Sequence, residues 1–408
     1  MGRRILLIVV LLLAGVAGLL LWLDRDRIPD SEPAIALWSP DDTLTDAEIE
    51  AGRHDESWRD AIELSVPSWE ELGLDTLAIP ETWGDIGEMV ALASSLDDVH
   101  LPLGGQVEGP SVLYVQVLLD RSRFSPGVVD GKWGKNTEKA VFWFQHREGL
   151  PPTGVVDSTT YAILRERSGE PTSAVVEHIL SEADVEGPFM AVPADVYRAA
   201  RLPCMCYESL AEKLGERFHA SRAVLEELNP GVALDSLAAG DPIQVPALAG
   251  APEDSAAIAR LVVNGRGFYV HALDADGRIL WHFPTTLGTR YDPSPAGSHR
   301  IVSIHLDPWF HYQPRLLAGV DPSKPETHLP PGPNNLVGDV WIKLSAPHYG
   351  IHGTRDPESI GYVTSSGCIR LTNWDARALA GRVTPGTSVD FEDTREEAPP
   401  ALEGPAGG

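Results

Sequence analysis

Apolar and polar positions alternate along this chain in patterns that divide it into segments. An uncharged run from Ile5 to Leu23 comes first, flanked by Arg3 and Arg4 before it and Asp24, Arg25 and Asp26 after it. Its 19 residues would span about 28 Å as a helix, close to the hydrocarbon thickness of a bilayer. Short helical patterns follow at Thr45–Ile62 and Ile86–Ser95, interrupted by Pro67, Pro80 and Pro102. From 109 to 168 the spacing predicts a small three-helix domain. Tyr114–Asp120 carries Val115, Leu118 and Leu119 on one face. Asn136–Glu148 buries Ala140, Val141, Phe144 and Trp143, and Ser158–Arg167 is capped by Asp157 or Ser158. Two turns rich in Gly, Val and Asp, Pro126–Gly134 and Thr153–Asp157, separate these helices. A connector at 169–206 leads to a helix pair, Leu210–Phe218 and Ser221–Leu228, then Leu228-Asn229-Pro230-Gly231 and a strand at Pro242–Pro246. Beyond Ala259 short apolar runs (261–263, 267–270, 279–283 and 299–304) are punctuated by Asn264-Gly265, Asp276-Gly277 and Pro295-Ala296-Gly297. Asn-Gly and Asp-Gly between such runs predict hairpins, hence a compact, mostly antiparallel β domain. The fold class expected is multidomain α+β.

Charge and compartment sharpen this picture. The 408 residues carry a formal charge of −27. Residues 24–108 hold 22 acidic and 4 basic side chains, most of that excess. They are expected to be a solvated acidic spacer, and the balance excludes nucleic acid as a partner. Small residues sit in the middle of the Ile5–Leu23 run rather than at its end, which favours an uncleaved anchor over a removed signal peptide. The paired arginines would hold the N-terminus inside and place the rest of the chain beyond the membrane. The last stretch, 394–408, is expected to be a disordered tail.

The candidate chemistry is concentrated late in the chain. Three cysteines occur, Cys204, Cys206 and Cys368, too few for a disulfide framework and without the spacing of a zinc site. A bridge between Cys204 and Cys206 stays open. Tyr349-Gly350-Ile351-His352-Gly353-Thr354 is followed by Ser365-Ser366-Gly367-Cys368-Ile369-Arg370-Leu371, so that His352 and Cys368 lie 16 residues apart. A thiol nucleophile needs a base, a group that orients the base, and amide donors for the developing oxyanion. Gly367 lets substrate and backbone approach closely. From the residues alone, a buried structural cysteine beside an unrelated histidine remains an alternative.

Three resemblances bear on that choice. VDGKWGKNTEKAVFWFQ and TGVVD resemble the helical peptidoglycan-binding domain of cell-wall enzymes. The order helix, helix, LNPG, GD-x-I-x-V-P resembles a LysM module (207–247), a fold that binds N-acetylglucosamine-containing glycans. His-Gly-Thr with Ser-Ser-Gly-Cys-x-Arg resembles the L,D-transpeptidase catalytic domain. FPTTLGTRYDPSP, DPWFHY, LPPGPNNLVG, WIKLS and LTNWDA extend that likeness over about 258–393.

The last resemblance implies Cys368 as nucleophile and His352 as proton acceptor and donor. It further implies the Gly353 carbonyl as orienting group and the Gly367 and Cys368 amides as oxyanion hole. Arg370, Ser366, Tyr349 and Ser365 become candidate substrate contacts. One departure stands out: Ser366 occupies a position where the family often has histidine. The implied reaction is attack on the carbonyl of the third stem residue, meso-diaminopimelate, loss of D-alanine, and capture of the thioester by an amine from another stem, a 3→3 cross-link. It requires no metal or organic cofactor. The implied partners are peptidoglycan stem peptides and glycan, and the inner membrane through the anchor, in a diderm periplasm. The alternatives are water as acceptor (an L,D-carboxypeptidase), a lipoprotein lysine as acceptor, or a non-enzymatic wall-binding scaffold. The oligomeric state is left open.

Overall fold

The computed structural model describes residues 99–394 except 106, 254, 290, 291 and 317–319. The expected anchor, nearly all of the acidic region, and the tail beyond 394 lie outside the described residues. Among the described residues no helix is long and apolar enough to cross a membrane.

Helices α1 (Pro110–Arg121), α2 (Lys135–Arg147) and α3 (Ser158–Arg167) build the three-helix domain. Asp157 caps α3, its carboxylate accepting from the Thr160 amide at 2.7 Å. Two buried glutamines organise the two Gly/Val/Asp turns. Gln116 donates to Asp130 Oδ1 at 2.9 Å and accepts from the Gly131 amide at 2.7 Å. Gln145 donates to the Val155 carbonyl at 2.7 Å and accepts from the Gly154 amide at 2.9 Å. Buried turn backbone thus finds partners that no helix or strand supplies.

A second unit begins inside the segment read as a connector. Strand β1 (Val175–Ile179) pairs antiparallel with β2 (Pro242–Pro246). Short helices α4 (Glu182–Val185) and α5 (Val196–Ala199) and the longer α6 (Leu210–Arg217) and α7 (Arg222–Leu228) lie between them. Asn229 explains the Leu-Asn-Pro-Gly motif. Its Nδ2 donates to the Leu225 and Gln244 carbonyls, both at 2.8 Å, and its Oδ1 accepts from the Gln244 amide at 2.7 Å, locking α7 to β2. Cys204 and Cys206 form a disulfide.

The third unit contains an eight-stranded sheet. Its strands are β3 (Arg260–Asn264), β4 (Tyr269–Leu273), β5 (Ile279–Pro284), β6 (Gly297–Leu306), β9 (Val340–Leu344), β10 (Gly350–His352), β11 (Ile369–Arg370) and β12 (Ser388–Glu392). The β7 (Phe310–Tyr312)–β8 (Thr327–Leu329) hairpin stands apart, and helix α8 (Asn373–Ala380) follows β11. The strand order is β11-β10-β9-β6-β12-β3-β4-β5, with β10–β11 and β12–β3 parallel and every other pair antiparallel. Leu261, Val263, Phe283, Ile342, Ile351 and Leu379 are among the residues of its core.

The three-helix domain is fused to this sheet. Strand β5 is an edge, and such an edge invites pairing; here the Ser125 amide donates to the His282 carbonyl at 3.0 Å and the His282 amide to the Arg123 carbonyl at 2.9 Å. Lys139, 1% exposed, donates to the Gly267 carbonyl at 3.0 Å. Trp143 packs on His271 with ring centroids 4.6 Å apart. Part of the aromatic face of α2 is therefore spent on the domain interface.

Candidate active site

His352 ends β10 and Arg370 ends β11, and the parallel register places them opposite each other. Cys368 lies two residues before Arg370. Side chains two apart on extended backbone share a face, which aligns Cys368, directly ahead of β11, with Arg370 and so with His352 opposite it; the Cys368 Sγ itself donates to the His348 carbonyl at 4.0 Å. Separation by 16 residues in sequence becomes proximity because the chain leaves β10, loops out, and returns alongside it.

Each group is positioned by identifiable contacts. The His352 Nδ1–H donates to the Gly353 carbonyl at 2.6 Å. A carbonyl can only accept, so this bond fixes the neutral tautomer with the Nε2 lone pair available. Nε2 has no hydrogen-bond partner among the described residues. The Trp341 ring stacks on the imidazole at 5.5 Å. Glycine is demanded at 353, where a Cβ would lie 2.1 Å from Asn373 Oδ1.

The loop that carries Cys368 is held as firmly. Gly367 has φ +107°, a conformation that favours glycine, and a Cβ there would lie 2.8 Å from the Tyr349 ring. Ser294 Oγ donates to the Gly367 carbonyl at 2.8 Å, and Ser365 Oγ donates to the Cys368 carbonyl at 2.7 Å. Tyr349 OH donates to the Pro293 carbonyl at 3.2 Å. Tyr349 and Ser365, expected as substrate contacts, brace this loop in the structure. The Gly367 amide, expected in the oxyanion hole, donates to Ser365 Oγ at 3.2 Å. Forming the expected oxyanion hole would require that bond to open. Ser366, two residues before Cys368, is half-buried.

Electrostatics describe a neutral resting pair. Burial pushes the Cys368 thiol up to about 12, against the opposing pull of the Gly350 amide, the Arg370 charge and the Ile369 amide. Burial, reinforced by Arg370, lowers the imidazole to about 3, while the Gly353 carbonyl acts the other way. Both side chains are wholly buried. Cys368 belongs to an apolar cluster with Ala199, Met205, Phe310, Tyr312, Leu329 and Val337, which joins α5 and the disulfide segment to the β7–β8 hairpin. Low dielectric disfavours separated charge at rest. It also strengthens any interaction with charge that develops on a bound substrate.

Sequence reasoning missed Asn373, Ser294 and Trp341. Asn373 lies within the LTNWDA segment, and its position three residues after Arg370 was the available signal.

A buried cysteine directly ahead of β11 and a neutral, carbonyl-oriented histidine on the neighbouring strand β10 are the groups that cysteine acyl transfer would need. Residues 258–391 match the L,D-transpeptidase catalytic domain family, and residues 108–164 match the family described as “Putative peptidoglycan binding domain”. The chain is 30% identical over 180 residues to “Putative L,D-transpeptidase YkuD” of Bacillus licheniformis, covering 44% of this chain and 92% of that protein. Against “Putative L,D-transpeptidase YkuD” of Bacillus subtilis the identity is 31% over 172 residues, 42% of this chain and 87% of the relative. The crystal structure of an L,D-transpeptidase from Xylanimonas cellulosilytica overlaps at a TM-score of 0.30 with 16% identity, over 71% of this chain and 96% of that one. The chain belongs to the L,D-transpeptidase family, with its catalytic domain at the carboxy-terminal end of the described residues and a peptidoglycan-binding domain ahead of it.

Proposed function

We propose that this enzyme cross-links peptidoglycan stem peptides through a Cys368 thioester. The observation that carries the reading is the His352 tautomer. Its Nδ1–H is committed to Gly353 O, which leaves Nε2 as the ring's proton acceptor on β10, the strand alongside the segment that follows Cys368. In the first half-reaction the thiol proton passes to Nε2 as Sγ attacks the carbonyl of the third stem residue. The C–N bond to D-alanine then breaks, and the proton held on Nε2 goes to the departing amine. In the second half-reaction an amine of another stem gives its proton to Nε2 and attacks the thioester. The Cys368 sulfur leaves and recovers the proton. Arg370 supports the developing negative charge at sulfur, since its cation already favours the thiolate.

The two-stranded unit with α6 and α7 is read as a LysM-like glycan-binding module. The paired strands β1 and β2, with the two longer helices α6 and α7 among the four helices between them, support that reading. The Ile5–Leu23 run supports an inner-membrane anchor, with the enzyme facing the periplasm.

The experiment is incubation of the full chain, in detergent, with disaccharide-tetrapeptide, the products being read by mass spectrometry. The reading predicts released D-alanine and a dimer joined between third stem residues. Hydrolysed tripeptide alone would overturn cross-linking in favour of the carboxypeptidase alternative, and unchanged substrate would overturn both.

A further inference from the structure

Helix α6 of the two-stranded unit reaches into the catalytic domain with two carboxylates. Glu212 and Glu216 stand one turn apart on this helix, a spacing at which like charges repel. Each is matched to an asparagine of the catalytic domain. Asn334 Nδ2 donates to Glu212 Oε1 at 2.6 Å, and Asn373 Nδ2 donates to Glu216 Oε1 at 3.0 Å.

Asn373 stands directly behind the group that orients His352. The residue is 1% exposed. Its Oδ1 is wedged between two turns, where a Cβ at either Gly338 or Gly353 would collide with it. Two other bonds hold this amide: Nδ2 donates to the Pro333 carbonyl at 3.3 Å, and Oδ1 accepts from the Asp339 amide at 3.4 Å. Both are longer than the bond to Glu216, and a bond to a carboxylate is the stronger kind. The Gly353 carbonyl in turn accepts from His352 Nδ1 at 2.6 Å. A continuous path of contacts therefore runs from Glu216 through Asn373 and Gly353 to the imidazole. General-base chemistry is sensitive to small displacements of the base, so the first member of this path bears on the last.

The surroundings of Glu216 are charged on several sides. Burial pushes its carboxyl up to about 8; Asp339 and Glu212 add to the rise, while the Asn373 bond and Arg377 pull against it. Tyr207 faces the same carboxyl, and Arg377 is itself paired with Asp339 and Asp307.

We infer that Glu216 is a positioning residue for the acyl-transfer centre: it fastens Asn373 against Gly353 and so fixes the carbonyl that aims His352. The inference rests on the Cys368–His352 reading above, and it makes a helix of an accessory unit part of the catalytic apparatus.

The test uses the full chain in detergent with two substitutions. Glu216→Ala removes the acceptor; Glu216→Gln keeps an acceptor for Asn373 and cannot ionise. Three quantities are read: kcat and KM for tetrapeptide, the rate of acylation by a carbapenem against pH, and the Nδ1 resonance of His352 in histidine-labelled protein, assigned by its loss in His352→Gln. Glu216→Ala should lower kcat by about tenfold, equivalent to about 1.4 kcal/mol, with KM unchanged. It should also shift the His352 resonance, whereas Glu216→Gln should match the parent in both at neutral pH. The thiol, pushed up to about 12, and the imidazole, lowered to about 3, are both neutral near pH 8. A rise in parental acylation centred near 8 therefore reports Glu216, whose ionised form is the better acceptor, and Glu216→Gln should lack it. Alanine and glutamine variants slowed equally, in step with lost thermal stability, would overturn the positioning role. So would a His352 resonance unmoved in Glu216→Ala. A parent chain that neither releases D-alanine nor takes up carbapenem, but whose His352 resonance still shifts in Glu216→Ala, would overturn the transpeptidase reading and leave the positioning claim standing.

Discussion

His271 and His282 form a hydrogen-bonded pair, Nε2 to Nδ1 at 3.0 Å, buried under Trp143 where the three-helix domain meets the sheet. One proton serves the bond, and a second would place charge in a buried site. Burial accordingly lowers His271 from 6.5 to about 3, and His282 is lowered in the same direction for the same reason. The folded value lies below the unfolded one, so on acidification the unfolded chain takes up the proton first. The stability this histidine contributes is whole above about pH 6.5 and is lost as the pH falls toward 3. At pH 5, roughly 1.5 units below the unfolded value, the loss is about 2 kcal/mol at about 1.36 kcal/mol per unit. The parent chain alone would not reveal it. Burial raises Asp375 to about 7 and Glu216 to about 8, and these carboxyls favour the folded state on acidification. The informative perturbation is His271→Gln, which keeps a donor but cannot titrate, compared with the parent by urea unfolding at pH 7.5 and pH 5.0. The variant should be the less stable at pH 7.5, and the gap should close by about 2 kcal/mol at pH 5.0. An equal gap at both values would refute the claim that this pair is held neutral.

Two further predictions concern the catalytic loops. Gly367→Ala forces a side chain into φ +107° and against the Tyr349 ring. It should cost about 1–3 kcal/mol in unfolding assays and slow acylation by a carbapenem through displacement of the Cys368 loop. His352→Ala should lower the acylation rate by about 10²–10⁴-fold. Ser366→His should change it only modestly, because the base is already supplied from β10; rescue of an inactive parent by Ser366→His would point to a degenerate enzyme.

Much of the candidate site's local structure could be read from sequence because its parts are local. His-Gly-Thr and Ser-Ser-Gly-Cys each specify a strand end and its turn, and the parallel β10–β11 pair needed only one return of the chain. The helices of the accessory units were legible for the same reason, since the 3.6-residue period is a local property. What escaped is non-local. Strand β1 was passed over as connector because only its first two residues alternate cleanly between buried and exposed, and its partner β2 lies more than sixty residues away. Periodicity marked Trp143 as buried but could not say that the covering surface is β4 of another domain. The engagement of the Gly367 amide by Ser365, and the bracing role of Tyr349, depend on hydrogen bonds that spacing does not encode.

The central claim is that Cys368 is the acylated residue, activated by His352. Intact-protein mass spectrometry after incubation with a carbapenem tests it most directly, on the parent chain and on Cys368→Ala. The account predicts one covalent adduct on the parent, mapped by peptide digestion to the 365–371 segment, and none on the alanine variant with its fold intact by circular dichroism. An adduct that persists on Cys368→Ala would contradict it.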